Sequence, residues 1–314
     1  MQRFMALAVV FTFSLSGCLS QNLSNPTPEE TMTMETTPCN GMIVLCHRTY
    51  DNVTFPETHN AHATHQDGIY YPASNHQTGL TAQWQAGMRA FMIDTHYANP
   101  NSQEPESVRL CHGSQSDLYS PCYYGEVDAI DWLSNLKTLM DNQPRDVVTL
   151  LIESHVSAEH VMHVLTESGL DNWLFTHTLG ESWPTLIEMI NNDQRLVVFW
   201  EQGFAEGFPE IHDFVVHGWT TNYGESSTDD MTCDVHRGDG QQPVWHMNHW
   251  VSNAIGLSDP TRAEDVNNID LLFERAVECW AFHQNRPTFI AVDWWEEGDV
   301  VLVAEMINQM DHWE

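Results

Sequence analysis

The sequence predicts one α/β domain in which parallel strands alternate with helices and close into a (β/α)8 barrel. Three observations lead there. A length of 314 residues suits a single barrel of this kind. Residues 88–93, 147–152, 196–200 and 288–292 are almost continuously apolar, as strands buried on both faces must be. Segments with helical spacing fall between them, which is the pattern of strands joined by crossover helices.

Taken in order, the chain opens with a leader rather than with the fold. Arg3 supplies a positive start, residues 4–15 form an apolar run too short to span a bilayer, and Leu15-Ser16-Gly17-Cys18 follows. That tetrapeptide resembles the bacterial lipoprotein processing box. The resemblance implies a lipid on Cys18 and an exported protein anchored at the cell envelope, facing periplasm or exterior; an ordinary secretory cleavage site is the alternative. Residues 19–38, rich in Thr, Pro, Glu and Asn, read as a disordered tether. The barrel is expected over residues 39–314, and no later apolar run reaches membrane-spanning length.

A brief strand starts at Val53, and Pro56 with Thr58-His59-Asn60 reads as its exit into a loop. Residues 88–93 end at Asp94, and residues 107–111 end at His112-Gly113. Val127, Ile130, Leu133, Leu136 and Met140 mark one helical face, and Val161, Val164 and Leu165 mark another, stopped near Gly169. Between them residues 147–152 end at Glu153. Residues 196–200 end at Glu201, and residues 202–240 read as loops with one weakly placed strand. Asp259-Pro260 starts a helix whose apolar face continues through Ile269, Leu272, Ala276 and Val277. Residues 288–292 end at Asp293, and residues 300–310 form a closing helix.

The formal charge is −33, and Lys137 is the only lysine. Such a surface repels polyanions, so nucleic acid is excluded as a partner, and it favours capture of divalent cations. With Cys18 set aside, six cysteines remain and allow 15 pairings. The short loops Cys39–Cys46 and Cys111–Cys122 would leave Cys233–Cys279. No CxxC pair occurs, which argues against a thiolate zinc site. The domain is expected to act as a monomer.

Besides the strand ending at Glu201, five strands end in a polar residue: His59, Asp94, His112, Glu153 and Asp293. In a (β/α)8 barrel every strand C-terminus opens on one face, so these side chains are expected to share one rim. Two histidines across a pocket suit general acid–base work. Asn60, Asp94 and Glu153 are hard oxygen ligands of the kind Ca²⁺ takes; Arg89 carries a fixed positive charge but sits mid-strand, where burial in a structural ion pair is the alternative. Two other readings compete. His59-x-x-His62-x-x-His65 with further histidines permits a zinc-dependent phosphoesterase, and a barrel of this type could bind a phosphorylated ligand without turnover. Trp245, Trp250, Trp294 and Trp295 either line the mouth or fill the core.

Thr58-His59-Asn60, Gly87-Met88-Arg89 through Ile93-Asp94, Cys111-His112-Gly113 and Ile152-Glu153-Ser154-His155 resemble, in that order, the X domain of phosphatidylinositol-specific phospholipase C and its phosphodiesterase relatives. Cys39-Asn40-Gly41, Asn248-His249-Trp250 and residues 287–293 resemble the secreted branch of that family. The resemblance spans residues 39 to about 308. It implies a distorted TIM barrel and cleavage of a phosphodiester such as phosphatidylinositol by attack of a neighbouring hydroxyl. It further implies His59 and His112 as the base and acid pair and Asn60, Asp94 and Glu153 as ligands of a Ca²⁺ cofactor; Arg89, for its charge, is added as a catalytic candidate. Asp293 is expected to orient His59. The calcium-dependent pattern has another acid two residues before Asp94; this chain has Met92 there, so His96 or water is expected to complete the shell.

Overall fold

Eleven strands and eight helices are described in the computed structural model, which covers residues 35–313 apart from 100, 102, 114–119 and 255. The leader, most of the tether and Cys18 lie outside the described residues. The strands are β1 (Phe55–Thr58), β2 (Ala90–Tyr97), β3 (Val108–Leu110), β4 (Val127–Asp128), β5 (Val148–Ser154), β6 (Leu196–Trp200), β7 (Ile211–Asp213), β8 (Gly218–Thr221), β9 (Val235–Arg237), β10 (Val244–His249) and β11 (Phe289–Val292). The helices are α1 (Leu80–Ala86), α2 (Ala129–Asn142), α3 (Ala158–Glu167), α4 (Leu186–Asn191), α5 (Phe214–His217), α6 (Ala263–Val266), α7 (Ile269–His283) and α8 (Val300–Gln309).

Eight strands run parallel in the order β7-β6-β5-β2-β1-β11-β10-β8, the number a TIM barrel requires. No ladder joins β7 to β8, so among the described residues the barrel is open along that seam. This is the distorted barrel the sequence predicts.

Alternate residues of each barrel strand face opposite cores, as a period of two demands. In β6, Val197 and Phe199 pack inside the barrel with Phe55, Phe214 and Phe289. Their neighbours Leu196, Val198 and Trp200 pack outward, in the layer that also holds Leu133 and Leu136 of α2 and Val303 of α8. Burying one such side chain contributes about 1.5–3 kcal/mol.

Several elements differ from the sequence reading. Pro56 lies inside β1 and not at its exit. The amides of Phe55 and His59 point to the β11 side, onto Thr288 O and Val292 O, so position 56 would point the other way. There β2 begins opposite Glu57, and no ladder bond is lost. The strand ending at His112 is not a barrel strand: β3 is antiparallel to β2 and to β4. Residues 202–240 hold three strands, not one. Strand β10 lies in a stretch without an apolar run. The helix from Asp259-Pro260 breaks after Val266, and Asn268 caps a new start through its side chain on the Asp270 amide. The three disulfides are Cys39–Cys46, Cys111–Cys122 and Cys233–Cys279.

Candidate active site

Three neighbouring strands end level with one another. Thr58 of β1 pairs with Val292 of β11, and Val292 pairs with His249 of β10. The next residue on each strand is therefore His59, Asp293 and Trp250, side by side on the rim. His59 Nδ1 lies 2.8 Å from Asp293 Oδ1. The indole of Trp250 lies flat against the imidazole, with centroids 4.0 Å apart and planes 7° from parallel.

Both His59 and Asp293 are followed by residues in the left-handed region, Asn60 at φ 52° and Trp294 at φ 50°. This bends each chain sharply off its strand, so the Ala61 amide reaches Met92 O on β2. Asn tolerates that conformation; a tryptophan there is strained, and strain of this kind needs a surrounding network to hold it. The network is present. Trp294 Nε1 donates to Ser258 Oγ at 2.7 Å, Ser258 Oγ donates to Asp293 Oδ2 at 2.6 Å, and Asn75 Nδ2 donates to Asp293 Oδ1 at 2.8 Å. Asn267 Nδ2 donates to both the Asp293 and the Trp294 carbonyls.

Asp293 accepts from the Nδ1–H of His59, which leaves Nε2 with its lone pair; the amide of Asn60 approaches that atom at 3.3 Å. Burial lowers the His59 pKa, but Asp293 beside it, with smaller help from Glu153 and Glu57, raises it above the ordinary histidine value. Burial raises the Asp293 pKa, and His59 and Ser258 more than offset this, leaving it below the usual carboxylate value.

His112 reaches the rim by another route. Strand β2 runs past the barrel to Tyr97 and the hairpin returns along β3, so the Cys111 amide bonds Asp94 O. The rings of His112 and His59 then stand 6.4 Å apart at 70°. His112 donates from Nδ1 to Ala73 O at 2.8 Å, and burial followed by the nearness of His59 lowers its pKa.

Asp94 and Glu153 face each other across the β2–β5 ladder and share one face of it. Burial, then Glu153 and Glu201, push the Asp94 pKa well above the carboxylate range. Glu153 is held down by the hydrogen bond from His155 at 3.1 Å, and Glu201 pairs with Arg237 at 2.8 Å. Among the described residues Asp94 has no such compensating partner. Asn60 spends its amide nitrogen on Asn75 and His59, and its side-chain oxygen has no hydrogen bond among the described residues. Asp94 and Glu153 on one face of the ladder, with Asn60 at the exit of the neighbouring strand β1, offer hard oxygen donors of the kind that fit a divalent cation. Met92 lines the cleft beside this set. The His-x-x-His-x-x-His spacing does not gather a site: both ring nitrogens of His65 are bound, to Gln77 and Ser74. Among the described residues no three His, Cys, Asp or Glu side chains converge on a metal position by themselves.

Arg89 does not belong to this site. It precedes the first residue of β2 and so lies at the opposite end of the barrel, where its guanidinium pairs with Asp146 at 2.8 Å and donates to the Trp84 and Met88 carbonyls. Sequence reasoning also missed residues. A cleft of about 370 Å³ is lined by Glu201, Tyr223, Arg237 and Trp250 together with His59 and Glu153. Glu201 was legible as a strand end, whereas Arg237 comes from a strand with no readable pattern. Below His59, Glu57 and His246 form a fully buried pair at 2.6 Å. Of the four tryptophans, Trp245 stacks on Trp219 in the core, Trp250 walls the cleft, Trp294 is buried beneath the rim, and Trp295 packs half-buried against the outer layer.

The fold and rim define a TIM-like barrel protein with a histidine–carboxylate dyad, a second histidine and an acidic cluster at its strand ends. The PI-PLC X family model (PI-PLC X 1) matches residues 45–308, and the chain belongs to that family. It is 27% identical over 331 residues to an "Uncharacterized secreted protein" of Arthroderma benhamiae, an alignment covering 95% of this chain and 70% of the relative. It is 24% identical to the "PI-PLC X domain-containing protein 1" of the same fungus, covering 86% of this chain and 89% of the relative. Among solved structures, the phosphatidylinositol-specific phospholipase C of Staphylococcus aureus aligns with a TM-score of 0.55 at 13% identity, over 84% of this chain and 94% of that one. At that identity the likeness is one of fold.

Proposed function

We propose that the protein is a phosphodiesterase of phospholipase C type, acting on a phospholipid such as phosphatidylinositol. The observation that carries the reading is the pair of imidazoles 6.4 Å apart, one of them backed by a buried carboxylate. His59 Nε2 takes the proton of a hydroxyl adjacent to the phosphate, and that oxygen bonds to phosphorus. The phosphorus–oxygen bond to the lipid alcohol breaks, and His112, whose imidazolium is disfavoured by burial in the free protein but favoured once an anionic phosphate lies beside it, gives its Nε2 proton to the departing oxygen. The products are a cyclic phosphate and a free alcohol. Asp293 holds the Nδ1–H tautomer and favours the imidazolium that forms. Asn60, Asp94 and Glu153 would hold Ca²⁺, and a bound cation would offset charge on a non-bridging phosphoryl oxygen.

The deciding experiment is turnover of a phospholipid panel with Ca²⁺ and with chelator. Lipid-dependent turnover lost in chelator and restored by Ca²⁺ supports both parts. No turnover of any phosphodiester leaves the second reading, a barrel that binds a phosphorylated ligand without cleaving it, for which Met92 at the acidic ligand position is the specific observation.

Export fits this chemistry: the family supports a phospholipid or other phosphodiester substrate, one relative is described as secreted, and three disulfides form. No helix among the described residues is long and apolar enough to cross a membrane. Anchoring through a lipid on Cys18 is the finer proposal. Mass spectrometry of the mature N-terminus tests it, and an unmodified terminus ends it.

A further inference from the structure

Glu57 and His246 are both fully buried inside the barrel, with His246 Nδ1 2.6 Å from Glu57 Oε2. The pair uses only half of its polar atoms. Among the described residues, Glu57 Oε1 and His246 Nε2 are buried without a hydrogen-bond partner. Thr220 Oγ1, on the register partner of His246 in β8, is a third such atom. Its neighbour Thr221 differs, since the Asn248 amide donates to its hydroxyl.

These atoms do not lie in sealed core. His246 and Thr220 line the same cleft as His59 and Glu153. The side-chain period of two explains how: His246, Asn248 and Trp250 alternate along the cleft side of β10, from the barrel interior to the rim. His246 is the deepest of them. It pairs with Phe289, which pairs with Phe55 at the start of β1, whereas His59 follows the end of that strand. Its ring is held in place, stacked on Phe289 with centroids 4.2 Å apart and edge-on to Phe214 at 4.7 Å. Glu57 stands in register between Ala90 and Ala291, whose methyl groups crowd it little.

A buried pair kept for stability alone gains from completing its hydrogen bonds, because each polar atom left unbonded in the interior costs folding free energy. Unbonded polar atoms grouped at the floor of an open cleft instead suit a ligand that brings polar groups of its own. Their chemistry selects that ligand. A carboxylate oxygen calls for a donor, a threonine hydroxyl accepts or donates, and Nε2 does one or the other according to its proton. A hydroxyl both donates and accepts and so serves all three, whereas a phosphate oxygen only accepts.

We propose that His246, backed by Glu57 and flanked by Thr220, binds a head-group hydroxyl remote from the phosphate and so selects a polyol head group over shorter ones. The proposal rests on the phospholipase C reading for the ligand's orientation, with the phosphate beside His59 and the head group in the cleft.

Two substitutions separate ligand contact from support. His246→Asn keeps a donor near the Nδ1 position that meets Glu57 and removes the Nε2 position. His246→Gln keeps a polar atom near the Nε2 position and gives up the link to Glu57. One readout is the affinity for myo-inositol against glycerol by calorimetry, which needs no turnover. The other is kcat/KM for phosphatidylinositol over phosphatidylglycerol, whose shorter head group also carries a hydroxyl next to the phosphate. His246→Asn is expected to weaken inositol binding and to lower that preference about tenfold each, the worth of one lost hydrogen bond. His246→Gln is expected to keep most of both. Thr220→Val is expected to weaken inositol binding about two- to threefold, and it serves as the test should neither histidine variant fold. Inositol binding lost in His246→Asn, with no lipid turned over by the wild type, supports the site and ends the phospholipase reading. Lipid turnover with an unchanged preference in His246→Asn does the reverse. A wild type that binds inositol no better than glycerol overturns the proposal. So does a glutamine variant that binds inositol more weakly than the asparagine variant.

Discussion

The Nδ1 of His59 and the Oδ1 of Asp293 stand 2.8 Å apart although 234 residues separate them. The ladder between β1 and β11 accounts for this, because Thr58 and Val292 are register partners and each ends its strand. Sequence distance is cancelled by a shared hydrogen-bonded edge.

Removing either imidazole removes a proton carrier. His59→Ala and His112→Ala are each expected to lower kcat by about 10²–10⁴-fold, and the double variant by little more than the worse single one, since the two act as a unit. Steady-state kinetics on the best phosphodiester substrate measures this, and near-wild-type turnover by either variant sinks the assignment.

Asp293→Asn takes away the charge that holds the His59 pKa up. The acidic limb of kcat/KM is then expected to move to lower pH, with kcat reduced about 10- to 100-fold by the poorer base. Stability follows with a definite sign. The His59 pKa is raised on folding, so its contribution is complete below the ordinary histidine value and is lost as pH rises through the raised one. The Asp293 pKa is lowered, so its contribution is lost as pH falls through that lower value. The melting advantage of wild type over Asp293→Asn should therefore peak in mildly acidic solution and shrink on either side.

Asp94 is the opposite case. Its pKa is raised on folding, so its ionisation destabilises the fold increasingly as pH climbs from the ordinary carboxylate value through the raised one. In chelator at neutral pH, Asp94→Asn is expected to melt a few degrees above the wild type. Added Ca²⁺ should raise the wild-type midpoint and leave the variant unmoved. Equal response of both proteins in a thermal shift assay removes Asp94 from the calcium set.

Arg89→Ala should damage folding and spare chemistry. It strands the carboxylate of Asp146, which is only 7% exposed, at a cost of about 3–5 kcal/mol. Urea unfolding should show the loss, while kcat per folded molecule stays at the wild-type level. A selective fall in kcat would return Arg89 to the reaction.

The elements that could be read from sequence are those whose residues face apolar surroundings on both sides. Strands β5 and β6 announce themselves because Leu150 faces the helix layer and Leu151 the barrel, and both must be apolar. Strand β10 does not, because His246 and Asn248 point into the cleft and break the run. The polarity that makes β10 useful hides it. Strand β3 shows the complementary failure: Val-Arg-Leu reads as a strand, but its direction depends on a hairpin beyond Tyr97 that no local pattern specifies. At the site, His59, Asp94, Glu153 and Asp293 were legible as residues ending apolar runs. Arg89 begins such a run, and a strand's two ends lie on opposite faces of the barrel, so it falls to the structural ion pair that was its alternative reading and not to the rim. Trp250 could have been placed had β10 been recognised, since it is simply that strand's next residue.

The missing rung between β7 and β8 lies at the far ends of a sheet whose middle is β1. A slit cylinder yields at its slit, and the wall facing it bends least. The Glu201–Arg237 ion pair joins residues flanking that slit, whereas His59, Asp293 and Trp250 lie on the wall facing it. Amide exchange should accordingly be faster along Ile211–Asp213 and Gly218–Thr221 than along Phe55–Thr58.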